Sequence, residues 1–217
     1  MVLSAQRLIT GYGSVPVTSP VDFEINLGDA VAVTGPPSCG KSTVLRAVFG
    51  RSNIISGKMQ IEGHTVTSQA PLIRPWDLHL GAVWNPREVL NRLTINETFV
   101  VTGVIDRKWK WKFPMLQNFF GMTPLPARTN SIAVNLSGGE RTLLNFIIAI
   151  HRAMGGLLIV DDLSASLQPT MANVLIEVLE ELIELREIAV VFTEDTYRIR
   201  SRLATIEIPI KTVAVSS

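Results

Sequence analysis

Residues 35–43, with the sequence GPPSCGKST, restrict the fold of this chain more than any other segment. They fit the pattern G-x-x-x-x-G-K-[ST], a glycine loop whose backbone N–H groups cradle phosphates. The preceding residues 30–34 are apolar and favour a strand, and residues 43–49 favour a helix that ends at Gly50. A strand, a glycine loop and a helix N-terminus in this order form an anion site. The sequence therefore predicts an α/β domain that binds a nucleoside triphosphate.

Within this loop, two side chains have distinct predicted roles. Lys41 is expected to reach the β- and γ-phosphates, and the hydroxyl group of Ser42 is expected to bind Mg²⁺. A glycine loop formed by chance is the alternative, and the flanking strand and helix argue against it.

Composition sets the size and class of the protein. The chain has 217 residues, enough for one large domain or for one domain with an inserted lobe. Hydrophobic residues make up 47% of the sequence, yet no apolar run approaches the roughly 18 residues of a membrane span. No signal peptide is visible at the N-terminus, and the single cysteine is typical of a cytosolic protein. The net charge of +1 gives no reason to expect nucleic-acid binding, whereas the high hydrophobic fraction suggests burial against a partner such as a membrane protein.

The pattern along the chain predicts alternating strands and helices with one interruption. The predicted strands are residues 3–9, 21–27, 30–34, 57–63, 80–84, 157–160 and 188–193, and the predicted long helices are residues 137–154 and 169–186. Between residues 87 and 135 the composition shifts towards proline, tryptophan and basic residues. We interpret this interval as an inserted, partly helical lobe.

Two acidic residues follow the buried strand at residues 157–160. In P-loop enzymes such a strand is expected beside the P-loop strand, and its first acid, here Asp161, holds Mg²⁺. The alternative is an ordinary buried strand with a solvated acidic end.

The segment LSGGE at residues 136–140 predicts a second site that could bind phosphate. Ser137 and two glycines open a helix, so its N-terminus is suited to bind an anion. Because the P-loop already holds one triphosphate, this second site predicts a face-to-face dimer in which each chain caps the nucleotide of the other.

These motifs together resemble the ATP-binding cassette (ABC) family, and the resemblance covers essentially the whole chain. Residues 35–43 correspond to Walker A, 136–140 to the signature, 157–161 to Walker B and 164–169 to the D-loop region. The family resemblance implies one nucleotide-binding domain, with a core lobe at 1–85 and 136–217 and a helical subdomain at about 86–135. It also implies that Tyr12 stacks on adenine and that Asn85 occupies the Q-loop position, beside the metal.

The resemblance assigns residues to two sets of ligands. Metal ligands are expected at Ser42, Asp161 and Asn85. The nucleotide is expected to contact Tyr12, Gly35, Pro36, Pro37, Ser38, Cys39, Gly40, Lys41, Ser42, Thr43, Asn85, Ser137, Gly138, Gly139 and Glu140.

The chain departs from the family pattern on the hydrolytic side. Asp162 stands where the family usually has a glutamate base, which shortens the side chain by one methylene, or roughly 1.5 Å. Glu194 stands where the family usually has a switch histidine, and an ionised carboxylate repels a phosphate. Asn85 replaces the usual Q-loop glutamine, and Gln168 replaces the usual D-loop aspartate.

Two interpretations stay open for the catalytic set of Asp162, Lys41 and Glu194. Either hydrolysis persists at a lower rate, or the site binds ATP and barely cleaves it, leaving turnover to a site shared with a different ABC subunit.

The predicted function is an ATP-binding subunit of an ABC transporter. The expected ligands are ATP and Mg²⁺, and the expected partners are a second ABC subunit and a separate transmembrane permease. The chain itself is expected to be cytoplasmic, held on the inner face of the cell membrane by the permease. The alternative is a non-transport or regulatory ATP-binding protein with little turnover.

Residues 107–112 form a basic aromatic cluster. It is either a solvated surface with its two tryptophan rings packed inward or a contact for a membrane subunit or anionic lipid.

Overall fold

The computed structural model describes residues 1–71, 77–84, 90 and 92–211. The strands are β1 (Leu3–Tyr12), β2 (Val15–Pro16), β3 (Val21–Ile25), β4 (Ala30–Thr34), β5 (Asn53–Ile61), β6 (His64–Val66), β7 (Leu80–Val83), β8 (Leu157–Val160), β9 (Ala189–Phe192) and β10 (Ile206–Pro209). The helices are α1 (Lys41–Val48), α2 (Ile95–Thr102), α3 (Pro114–Met122), α4 (Gly138–Ala153), α5 (Pro169–Glu184) and α6 (Tyr197–Leu203), with short 3-10 helices at Leu125–Arg128 and Ala133–Asn135.

A parallel sheet carries the ends of the strands that lead to the predicted site. Its strand order is β10-β4-β9-β8-β7. The prediction that the acidic strand lies beside the P-loop strand is wrong, because β9 pairs with both β4 and β8 and separates them. The physical reason is the crossover through α5, which returns the chain to the sheet directly beside β8, on the side of the P-loop strand.

Successive side chains of the central strands point to opposite faces of the parallel sheet, so the core has two parts. In β4, Ala30 and Ala32 belong to the cluster that contains α4 and α5, whereas Val31 and Val33 belong to the cluster that contains α1 and the antiparallel sheet. Strands β8 and β9 alternate in the same way. Because successive strand residues point to opposite faces, an apolar run such as AVAV buries both faces of the sheet.

The second sheet is antiparallel, with β1 at its centre and β2, β3, β5 and β6 around it. The strand predicted at residues 57–63 has different bounds, because β5 begins at Asn53 and passes through Gly57. The backbone at Gly57 has φ +82°, and a Cβ there would lie 2.2 Å from the carbonyl oxygen of Arg7. Gly57 therefore permits a close approach to β1 within the strand, whereas the sequence pattern predicts that the strand begins there.

Helix α4 packs closely against the edge strand β7. A Cβ at Gly81 would lie 1.9 Å from the carbonyl oxygen of Ala149, so only glycine fits between strand and helix. This contact fixes α4 and with it the LSGGE segment at its N-terminus. Within the described ranges, no helix is both long enough and apolar enough to cross a lipid bilayer.

Candidate nucleotide-binding site

The P-loop connects β4 to α1 through two glycines that no other residue could replace without strain. Gly35 has φ +146°, and a Cβ there would lie 2.6 Å from both Cys39 Sγ and the carbonyl oxygen of Ile210. Gly40 adopts the left-handed conformation with φ 103°, and it caps α1 without any side-chain hydrogen bond. The first turn of α1 also contains no acidic residue. The positive end of this helix is therefore left for an anionic ligand.

Lys41 lies at the mouth of this loop. Its Nζ donates to the carbonyl oxygen of Gly35 at 3.0 Å and forms an ion pair with Asp195 Oδ1 at 3.0 Å. The Asp195 side chain is 83% exposed. In this structure the ammonium group of Lys41, which the sequence predicts to bind phosphates, is thus paired with an exposed carboxylate.

Ser42, in the helix after β4, and Asp161, directly after β8, meet at the end of the parallel sheet, although β9 lies between these two strands. Ser42 Oγ donates to Asp161 Oδ1 at 2.8 Å. Thr193, directly after β9, donates its hydroxyl hydrogen to the same carboxylate oxygen at 2.9 Å. Hydroxyl and carboxylate oxygens are the hard ligands that Mg²⁺ prefers, so these residues fit a Mg²⁺ ion that also binds phosphate oxygens.

The direction of these hydrogen bonds is determined by the groups around Thr193. Its hydroxyl oxygen accepts a hydrogen bond from the backbone N–H of Asp162 at 2.7 Å, so its own hydrogen is free to donate to Asp161. The side chain of Thr193 is buried and connects both acidic residues to β9. Sequence reasoning missed Thr193, because only the position of β9 between β4 and β8 places it there.

Asp162, the predicted base, has a left-handed backbone with φ 64°. Partial desolvation by surrounding protein atoms raises the pKa of its carboxyl group, and the negative charges of Glu194, Asp161 and Asp195 add to this effect. Lys41 acts in the opposite direction. A raised pKa strengthens the carboxylate as a proton acceptor but lowers the fraction that is ionised.

Glu194, at the switch position, has its carboxylate bound inside the chain. The residue is buried, with 5% of its surface exposed. One carboxylate oxygen accepts the backbone N–H of Ser164 at 3.0 Å, and the other accepts that of Thr196 at 2.7 Å. Glu194 therefore joins the D-loop to the start of α6, and both of its oxygens already have donors.

Tyr12 lies at the end of β1, next to the P-loop helix. Its hydroxyl oxygen accepts a hydrogen bond from Arg46 Nη1 at 3.0 Å, and 47% of the residue is exposed. Hydrogen bonding to Thr43 lowers the pKa of its phenol, with further contributions in the same direction from Arg46. The structure thus places an exposed aromatic ring beside α1, where the adenine is predicted.

The LSGGE segment forms a capping box at the start of α4. Glu140 N donates to Ser137 Oγ at 3.2 Å, and Ser137 N donates to Glu140 Oε2 at 2.7 Å. Arg128 forms an ion pair with Glu140 Oε1 at 3.5 Å. Glu140 therefore orders the helix start, while nothing within 4 Å would meet a Cβ at Gly138. Within the described part of the chain, no hydrogen bond or ion pair joins this segment to the P-loop.

The structure brings some of the predicted residues together, and one of them lies outside its described part. Ser42 and Asp161 are hydrogen-bonded, and Asp162 lies within electrostatic reach of Asp161, Lys41 and Glu194. Asn85 lies outside the described residues. Just before it, Trp84 packs edge-to-face on Phe49 with ring centroids 5.8 Å apart.

Comparison with known protein families decides which family this geometry belongs to. The family model described as "ABC transporter" matches residues 18–165, more than half of the chain. The chain belongs to the ABC transporter family. The family resemblance predicted from the motifs is confirmed.

Individual members of this ABC family support the same conclusion. The chain is 29% identical over 188 residues to the probable branched-chain amino acid transport ATP-binding protein LivF of Archaeoglobus fulgidus, covering 86% of this chain and 77% of LivF. It is also similar to the structure of an ATP-binding subunit of an ABC transporter, with a TM-score of 0.80 and 18% identity, covering 97% of this chain and 86% of that chain. A dimeric ATP-binding cassette in a post-hydrolysis state with ADP and Pi gives a TM-score of 0.76 at 18% identity, covering 96% of this chain and 94% of that chain. These likenesses confirm the predicted fold class, an α/β P-loop NTPase domain.

Proposed function

We propose that this chain is the ATP-binding subunit of an ABC transporter and that it binds Mg-ATP at the P-loop. The observation that carries the proposal is the cluster in which Ser42 and Asp161 lie 2.8 Å apart beside Lys41. The backbone of residues 35–43 would hold the phosphates, Ser42 and Asp161 would hold Mg²⁺, and Tyr12 would stack on adenine. Asn85 would complete the metal site from the Q-loop position.

The proposed dimer places the LSGGE segment of one chain over the nucleotide of the other. Its N-terminal capping box leaves Gly138 open towards an approaching phosphate. In this arrangement the helical subdomain at about 86–135 directly precedes the signature segment, and residues 1–85 and 136–217 form the core lobe. A separate transmembrane subunit would hold this chain at the inner face of the cell membrane and would receive the movement that accompanies dimer closure.

We propose further that hydrolysis at this chain's own P-loop is slow and that a different ABC subunit completes the pair. The short Asp162 side chain is a weak substitute for a glutamate base. Both carboxylate oxygens of Glu194 are occupied by backbone donors, so this residue offers no donor to a γ-phosphate. Losing one positioned catalytic group commonly lowers a rate by roughly 10²–10⁴. A regulatory ATP-binding protein with little turnover is the second candidate, which these same contacts of Glu194 favour.

The nucleotide site is tested by equilibrium binding of Mg-ATP to the full chain and to Lys41→Ala. We expect binding to weaken by about tenfold or more, since a charge-assisted contact to phosphate contributes about 1.5–3 kcal/mol. Unchanged affinity would contradict the assignment of the P-loop.

Gly138→Asp tests the shared site. Because no atom lies within 4 Å of a Cβ there, the new carboxylate fits this chain but repels a nucleotide bound to the partner. In a heteromeric pair we expect turnover to fall by about 10² while this chain still binds ATP. Gly121→Asp in α3, also at an open position, is the matched control and is expected to keep wild-type turnover. Turnover that resists Gly138→Asp would exclude the shared site, and a pair without measurable turnover would favour the regulatory candidate.

A further inference from the structure

The segment at residues 104–112, named here the basic hairpin, is a hydrogen-bonded turn between α2 and α3. Ile105 and Trp111 form an antiparallel bridge, and Lys112 N donates to the carbonyl oxygen of Val104 at 3.1 Å. At the tip, the carboxylate of Asp106 accepts the backbone N–H groups of Lys108 and Lys110 at 2.7 and 3.0 Å. The hairpin's acidic residue is thus used to shape the turn.

The two tryptophans of the hairpin point in different directions. Trp111 packs inward, with its ring centroid 5.2 Å from those of both Phe99 and Phe120. Trp109 is 57% exposed and has a left-handed backbone with φ 62°. A bulky residue in this conformation is unfavourable by about 1 kcal/mol or more, so the fold holds an aromatic ring in solvent against a local penalty. Of the two interpretations of this cluster, the one in which both rings pack inward is wrong for Trp109.

Positive charge is concentrated around this ring. Arg107, Lys108, Lys110 and Lys112 are all exposed, in a chain whose net charge is only +1. Among the residues described, none of the four forms an ion pair, and Lys112 lies over the ring of Phe113. An adjoining groove of about 720 Å³ contains Val101, which is 67% exposed. The surface therefore offers cations, an exposed indole ring and an apolar side chain to one partner.

We propose that the basic hairpin binds anionic phospholipid, with Trp109 at the level of the headgroups. Cations close to an anionic bilayer gain favourable electrostatic energy, and tryptophan prefers the interface because its ring is apolar while its N–H is polar. An acidic protein surface would match the cations but would not require an exposed indole ring. This inference adds a lipid contact to the proposed contact with a transmembrane protein.

The basic hairpin lies beside the end of α4 that leads into the start of β8, whereas the P-loop and Asp161 follow the opposite ends of the parallel strands. Phe113, directly after it, contacts His151 near the C-terminal end of α4, with ring centroids 5.5 Å apart. The LSGGE segment lies at the other end of this 16-residue helix, which spans about 24 Å. Substitutions in the hairpin should therefore change lipid binding without changing ATP binding.

The experiment measures co-sedimentation of the full chain with vesicles of phosphatidylcholine, with and without phosphatidylglycerol, at low and high salt. We expect binding only to the mixed vesicles, and weaker binding as salt increases. Lys108→Ala/Lys110→Ala should weaken vesicle binding about thirtyfold, since each removed cation contributes about fivefold near an anionic surface. Lys58→Ala/Lys211→Ala removes the same charge elsewhere and should bind like the wild type. Trp109→Ala, which changes no charge, should weaken binding by several fold.

ATP affinity serves as the folding control for every variant and should stay at the wild-type value. Absence of binding to the mixed vesicles would overturn the proposal. So would equal binding of Lys108→Ala/Lys110→Ala and the Lys58→Ala/Lys211→Ala control. Loss of association with the transmembrane subunit in lipid-free detergent, with vesicle binding intact, would assign the surface to that protein and overturn the lipid proposal. None of these results depends on whether the P-loop hydrolyses ATP.

Discussion

Replacing Thr193 with valine removes the hydroxyl group that joins β9 to Asp161, the predicted metal ligand, and to Asp162, the predicted base. Valine keeps the branched shape of the side chain, so the packing at this buried position is largely preserved. Two hydrogen bonds are lost, the one donated to Asp161 at 2.9 Å and the one accepted from Asp162 N at 2.7 Å. Among the described residues, the carboxylate of Asp161 then keeps its hydrogen bond from Ser42 alone.

The magnitude follows from these two bonds. A hydrogen bond to a charged group contributes about 1.5–3 kcal/mol, and an N–H group left without its acceptor costs about 1–3 kcal/mol if it stays buried. We expect the free energy of unfolding to decrease by about 2 kcal/mol. If about 1.4 kcal/mol of this loss falls on the placement of Asp161, the contribution of Mg²⁺ to ATP affinity decreases about tenfold.

The assay is calorimetric titration with ATP in the presence of Mg²⁺ and in the presence of a chelator. Thr193→Val should lower the ratio of the two affinities about tenfold, with little change in the chelator. Thr193→Ser retains the donor and the acceptor and should keep a ratio close to that of the wild type. An unchanged ratio for Thr193→Val, or equal losses with and without Mg²⁺, would refute the view that Thr193 positions the metal ligand.

Three other changes probe separate features. Asp195→Asn removes the carboxylate that competes for Lys41, so ATP affinity measured by titration should increase about two- to fivefold, and a decrease would show that Asp195 assists binding. Burial lowers the pKa of His151 to about 4, with the charges of Lys112 and Arg152 adding to the effect. The unfolded state therefore binds the proton first as pH falls from about 6.5 to about 4. Over this pH range the free energy of unfolding should decrease by about 2 kcal/mol, after allowance for partial solvent screening. Urea unfolding of the wild type and of His151→Leu, which lacks the titrating group, measures this decrease as a difference between the two proteins. Gly81→Ala should destabilise the fold by about 2 kcal/mol or more in thermal unfolding, because its methyl group would fall 1.9 Å from a backbone oxygen, whereas Gly121→Ala at an open position should not.

Local motifs were enough to predict the parts of the site that lie within one segment. The P-loop pattern predicts α1 and its open N-terminus because glycine spacing and helix polarity are local properties. The start of α4 follows from the serine and glutamate of LSGGE, which form the capping box. Family membership could also be predicted, since the motifs and their order are properties of the sequence alone.

Strand order and the partners of exposed charges could not be predicted in the same way. No local pattern indicates that β9 lies between β4 and β8, and the role of Thr193 depends on that position. The Lys41–Asp195 pair joins residues 154 positions apart, and the occupation of Glu194 by backbone donors depends on a turn that forms only in the folded chain. Likewise, the hairpin sequence does not indicate which tryptophan points inward, because the turn held by Asp106 decides it.

A single-turnover measurement on the isolated chain tests most directly whether this P-loop binds ATP but hydrolyses it slowly. Mg-ATP is bound first, and its conversion to ADP is followed for the wild type, Lys41→Ala and Asp162→Asn. We predict stable binding that Lys41→Ala weakens about tenfold or more. We also predict hydrolysis roughly 10²-fold or more below that of a site with both catalytic groups in place, and little further loss for Asp162→Asn. Rapid hydrolysis by the wild type that Asp162→Asn abolishes would contradict this account.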